Sequence, residues 1–204
     1  MSTNFFVYPT KRDLLKCEDI IEYSVRLFKK YLYKENINYK IHVGVREVSL
    51  NKSEINFKPV SLISTENLYL AFRLNDEGEV YVFYHQLTEL DEEVWDEEME
   101  DNKKAQLLQK MIYENRDIGY HWSIKRTMGQ PAAVSLYYGY LAIAIAVLTD
   151  GFIYSDDGAW DYASFPVLGG DFKEEYLNVN AIENVNVKEN ITNWLNGLRE
   201  KIDS

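Results

Sequence analysis

The chain has 204 residues, a formal net charge of −11 at pH 7 and an ordinary globular share of apolar residues. That length holds one well-buried core, or at most two small ones, and the composition excludes a disordered chain. The charge repels nucleic-acid phosphates and anionic lipid heads, so the expected partner is a basic protein, with no nucleic acid and no membrane.

Phe5 to Tyr8 is a short apolar start halted by Pro9. From Cys17 to Tyr33 the residues Ile20, Ile21, Leu27, Phe28, Tyr31 and Leu32 recur at helical spacing, with Lys29 and Lys30 turned away. Tyr39 to Val48 reads as a strand, because Ile41, Val43 and Val45 alternate with His42, Gly44 and Arg46. Asn51 to Asn56 is a polar connection, and Pro59 to Ile63 is a possible further strand. Leu68 to Leu87 carries the clearest β pattern. Two alternating runs flank Asn75-Asp-Glu-Gly-Glu79, which supplies turn chemistry. Apolar groups on both faces of this hairpin require at least part of its second face to be covered.

Glu89 to Asp101 holds nine acidic residues in thirteen positions and no base. It reads as a solvated loop and helix start, with Asp96 to Glu100 at the positive end of a helix running to about Tyr113. Gly119 to Thr127 reads as a mixed connector. The segment Thr127 to Thr149 is free of charge, and Pro131 to Leu148 lies at the lower edge of membrane-spanning length. Tyr137, Tyr138 and Tyr140 fall mid-segment and not at its ends, which favours a buried core helix starting near Pro131 and stopping at Asp150-Gly151. A short helix is expected around Asp171 to Leu177, then an irregular Asn-rich stretch. A final helix is expected from Lys188 to about Lys201, with Ile191, Trp194, Leu195 and Leu198 on one face.

Strands cluster early and helices late, and neither a repeat nor a flexible linker divides the chain. The expected fold is one α+β domain over residues 1–204, with an antiparallel sheet in the N-terminal half packed on helices and a buried apolar helix near 131–148. The N-terminus lacks the basic and apolar regions of a signal peptide, so a cytoplasmic location is expected. Tyrosine dominates the aromatics, with 16 Tyr against 9 Phe and 4 Trp. It suits half-buried sheet faces and protein interfaces alike.

Chemistry is harder to place. Asp156, Asp157 and Asp161 surround Gly158 and Trp160, directly after the uncharged segment. This arrangement suits a tight corner, a protein-binding surface or a carboxylate site for a cation or acid–base work. The spacing is not that of an EF-hand. A single cysteine, Cys17, excludes an internal disulfide and a cysteine-rich zinc site, and its acidic neighbours Glu18 and Asp19 oppose a reactive thiolate. His42, His85 and His121 share no metal-ligand spacing. Lys125 and Arg126 precede the core helix and could hold an anion at its start, without a phosphate-loop pattern. No catalytic residue, metal site or cofactor is assigned. In the acidic run, Glu92, Glu93, Asp96 and Glu97 form a possible docking face with Trp95 as its aromatic anchor.

Leu148-Thr-Asp-Gly-Phe-Ile-Tyr-Ser-Asp-Asp-Gly-Ala-Trp-Asp-Tyr-Ala-Ser-Phe-Pro166, continued by Asp171 to Tyr176, resembles a segment of a family of small uncharacterised bacterial proteins. In size and acidity the chain also resembles immunity proteins of bacterial toxin systems. That resemblance implies an inhibitor that occludes a basic partner through Glu92, Glu93, Asp96 and Glu97, or through Asp156, Asp157 and Asp161, with Trp95 or Trp160 as a buried anchor. The alternatives are a small hydrolase or metal-dependent enzyme using the 156–161 carboxylates, and an oligomeric scaffold with tyrosine-rich surfaces.

Overall fold

The computed structural model describes residues 3–12, 14–50, 55–155, 160 and 164–203. Alternation and helical period translate into eight strands and seven helices among them. They are β1 (Thr3–Tyr8), α1 (Cys17–Lys34), β2 (Val43–Ser49), β3 (Ile55–Asn56), β4 (Leu68–Leu74) and β5 (Gly78–Gln86). Then come α2 (Glu89–Asp101), α3 (Lys103–Leu107), α4 (Gln109–Ile118), β6 (Tyr120–Arg126) and α5 (Ala132–Leu148). The chain ends with β7 (Phe152–Tyr154), β8 (Val167–Leu168), α6 (Gly169–Glu175) and α7 (Val185–Asp203).

The strands form one sheet in the order β3-β2-β4-β5-β6-β1-β7-β8, antiparallel throughout. The protein is therefore α+β. The sheet is not confined to the N-terminal half, because β1 is threaded between β6 and β7 from later in the chain. Period-2 alternation divides each strand between two faces. Phe5, Val7, Leu70, Phe72, Val80, Val82 and Ile124 are buried on one face, which α5 covers, and α1, α6 and α7 pack around α5. On the other face α2 and α4 cap the β6-β1-β7 end. Trp95 of α2 lies on Tyr8, Phe152 and Tyr154, and the Asn115 side chain of α4 donates to the carbonyls of Pro9 and Tyr120. The second face of the hairpin is thus part of a surface with a helical cover at one end. Beyond that cover Tyr69, Tyr81 and Phe83 form a half-buried aromatic cluster.

Four sequence expectations need correction. Gly119 to Thr127 is not a connector. Tyr120, Trp122 and Ile124 alternate with His121, Ser123 and Lys125 in β6, a central strand. His121 and Ser123 on the polar side of that alternation are buried, which disguised the strand. Glu89 to Asp101 is helical from its first residue. Thr88 Oγ1 accepts from the Asp91 N–H, and the Asp91 carboxylate accepts from the Thr88 N–H, so a capping box starts the helix there. The strand expected at Pro59 to Ile63 is only a single bridge between Lys16 and Ser61, and β3 lies within the stretch read as a polar connection. Phe152 to Tyr154, between the core helix and Asp156 in the sequence, forms a strand against β1.

The uncharged segment forms α5 as expected. It is buried from Ala133 through Ala146, and among the described residues no helix is long and apolar enough to cross a membrane. Pro131 stands one residue before the helix, and its carbonyl accepts the first helical bond, from Ser135. So buried a helix must pair its polar groups internally. Tyr137 shares a hydrogen bond of 2.7 Å with Ser24 of α1. The Tyr176 hydroxyl donates to the Leu136 carbonyl at 3.0 Å and accepts from the Gly139 N–H at 3.2 Å. A Cβ on Gly139 would lie 2.1 Å from Cζ of Tyr176, whose ring is locked in the core. Gly139→Ala is therefore expected to lower stability by about 2 kcal/mol in urea denaturation, in line with overpacked cores. An unchanged midpoint would show that the Tyr176 ring can move aside.

Candidate functional site

The nine carboxylates of α2 do different things. Asp91 caps the helix, and Glu98 accepts from the Tyr154 hydroxyl at 2.8 Å. Asp96 pairs with Arg116 of α4 at 2.6 Å, and the same guanidinium donates to the backbone carbonyl of Glu92. Glu89, Glu93, Glu97 and Glu100 are exposed and form no ion pair among the described residues. At 100° per residue these four fall within one narrow stripe, directly opposite Trp95, with exposed Leu90 and Val94 along its edge.

Trp95 is 3 % exposed and wedged edge-on between the rings of Tyr8, Phe152 and Tyr154, at centroid distances of 5.0, 5.4 and 5.1 Å. It pins α2 to the sheet, so it is not the outward anchor expected among the carboxylates. The aromatic strands β1 and β7 claim the ring first. Trp160 is likewise 3 % exposed and packs on Tyr176 at 4.8 Å, which removes the second expected anchor. Asp156, Asp157 and Asp161 lie outside the described residues. Of the expected acidic face, Glu93 and Glu97 point outward on the stripe, Glu92 is exposed beside it, and Asp96 is tied to Arg116.

Pairing of β5 with β6 creates a second cluster that sequence spacing did not reveal. His85 and His121 are register partners, with rings stacked 5.1 Å apart, and Tyr8 stacks on the far side of His121 at 4.9 Å. His85 Nε2 lies 2.8 Å from Ser123 Oγ, a distance suited to a base activating a hydroxyl. Ser123 is fully buried, however, and no substrate carbonyl can reach it. His121 is 6 % exposed, and its Nδ1 has no hydrogen-bond partner among the described residues. Burial, helped by neighbouring His85, pulls its pKa down to about 4, while Asp91 pulls the other way. Burial also lowers the pKa of His85, with Lys125 adding to the effect. At neutral pH both rings are uncharged.

The remaining expected sites do not assemble. Lys125 and Arg126 point to opposite faces of the sheet. Lys125 lies over Phe83, and Arg126 is sandwiched between Tyr138 and Trp194. Cys17 is buried, and burial pushes its thiol up to about 11, so it is not a nucleophile at neutral pH. Among the described residues no three His, Cys, Asp or Glu side chains converge to hold a metal ion. Compared with family models, curated proteins and solved structures, the chain matches none.

Proposed function

We propose that this protein works by binding a basic protein through the outer face of α2. The observation that carries this reading is the stripe of Glu89, Glu93, Glu97 and Glu100, edged by Leu90 and Val94, on a helix pinned from behind by Trp95. Like charges three and four residues apart oppose a helix by about 0.2–0.5 kcal/mol per pair. Beyond the first turn, where Glu89 suits the positive end of the helix, the stripe therefore costs the fold a little. A rigid row of unpaired carboxylates with two aliphatic side chains offers what a lysine- and arginine-rich surface needs: steering at long range and a dry contact at short range. The most concrete form of this reading is an immunity-like inhibitor that occludes a basic active site.

The test is affinity capture from source-cell lysate at low salt, with wild type and a Glu89→Lys/Glu93→Lys/Glu97→Lys chain run side by side. The expected result is a basic protein retained by wild type, released by salt and absent from the charge-reversed chain. The free protein with Glu93→Gln alone should melt no lower than wild type, because that change relieves the repulsion of Glu93 with Glu89, Asp96 and Glu97. Equal capture by both chains sinks the proposal.

A further inference from the structure

We propose that the cleft between the C-terminal half of α1, the middle of α5 and the turn after α6 is a binding site for a small organic phosphate. The cleft holds about 300 Å³, at the small end of ligand sites, which suits a molecule of mononucleotide size and not a peptide. Lys30 and Lys34, one turn apart on α1, line it together with Lys173 of α6. Three ammonium groups against two carboxylates in one recess reverse the balance of a chain with 33 acidic and 22 basic residues. Glu35 and Glu174 also line it: Glu35 faces Arg199 at 3.4 Å, and Glu174 shares Lys173 at 3.3 Å, so Lys30 and Lys34 are the ammonium groups left wholly for a ligand. Lys30 and Lys34 form no ion pair among the described residues. The dipole of α1 accounts for Lys34 in its last turn. It does not account for Lys173, which arrives from another helix. Lysines, as mobile point charges without the planar fork of arginine, suit a multiply charged phosphate better than a single carboxylate.

On the apolar side of the cleft the half-buried Tyr31 offers a surface for a flat ring, backed by buried Tyr140 at a centroid distance of 6.0 Å. Burial raises both phenol pKa values, so both hydroxyls remain protonated donors at neutral pH. The third wall is held rigidly. Tyr176 is fastened inside α5 by its two hydroxyl hydrogen bonds, and Leu177 directly after it adopts φ +61°, a conformation leucine rarely takes. Strained backbone of this kind persists where surrounding structure over-determines it, and it collects at ligand clamps.

The test uses the full chain at low salt, with AMP and inorganic pyrophosphate as probes, read by calorimetry and thermal shift. Both are expected to bind and to raise the melting temperature, AMP about tenfold more tightly because its base adds ring contact. Lys34→Gln with Lys173→Gln is expected to weaken both by about tenfold or more while lowering the melting temperature of the free protein only slightly, by the loss of the Lys34 dipole contact and the surface Lys173–Glu174 pair. Lys110→Gln, at an exposed position on α4, should leave both affinities as they were. Equal affinity for the two probes overturns the assignment to an organic phosphate. Absence of binding, or binding that survives the double substitution, overturns the site altogether.

Discussion

Trp95→Ala should destabilise the protein by about 3–5 kcal/mol, the range for emptying a buried aromatic site. The ring fills the junction between α2 and the β1–β7 edge, touching three aromatic side chains, and nothing else from α2 reaches as deep. Since whole domains are stable by only about 5–15 kcal/mol, this one change removes a large share. Trp95→Phe keeps a ring in place and should cost less, which guards against a chain that fails to fold. Urea denaturation of the two variants and wild type decides the matter. A loss for Trp95→Ala below about 1 kcal/mol would mean that the ring is dispensable to the core, and would return it to the role of a partner anchor.

Acidification should destabilise the protein well before its carboxylates protonate. An unfolded histidine titrates near pH 6.5, whereas His121 in the fold does so at about 4. Above pH 6.5 both states carry a neutral ring and this group adds no pH dependence. Between 6.5 and 4 the unfolded chain binds a proton that the folded one refuses, so stability falls as pH falls. Below about 4 both states are protonated and the loss levels off, at about 3 kcal/mol. His85, also lowered, acts in the same direction. The groups facing this pair are Asp91 from α2, Lys125 from β6 and Glu66 ahead of β4. Glu79, whose pKa the Arg46 guanidinium lowers, adds its own loss only as pH falls below the ordinary carboxylate range. Unfolding free energies measured from pH 7 to pH 4.5 should therefore slope downward in wild type and less steeply in His121→Phe, which keeps the ring stack without the proton site and leaves the contribution of His85. An identical slope in both chains would remove His121 as the cause.

These two residues also mark where reading from sequence stops. The span of α1, the β4–β5 hairpin, α5 and the inner face of α7 were legible because each carries its own period over ten or more residues or its own turn chemistry. Asn75 and Asp76, with φ of 49° and 58°, adopt the left-handed turn their side chains favour. Helix α2 was obscured because it turns only one large apolar ring inward and lacks an apolar stripe. Its readable cue was the spacing of Thr88 and Asp91, a capping box that opens one residue ahead of the acidic run and closes on one of its acids. Strand β6 was obscured for the opposite reason, since His121 and Ser123 are polar yet buried, and alternation by hydropathy alone cannot register that.

By itself, then, the sequence determined the strong negative charge, the α+β class, the one helix that had to be interior and the residues able to form an acidic stripe. Those are properties of composition and of local period, which the chain carries without reference to its neighbours. Tertiary structure decided that β1 enters the middle of the sheet, that its rings capture Trp95, that two histidines far apart in the chain stack, and that lysines of α1 and α6 share a cleft. Each of these depends on which strand or helix lies beside which. That choice is made by the burial and hydrogen bonding of the whole chain at once, and no window of local sequence contains it.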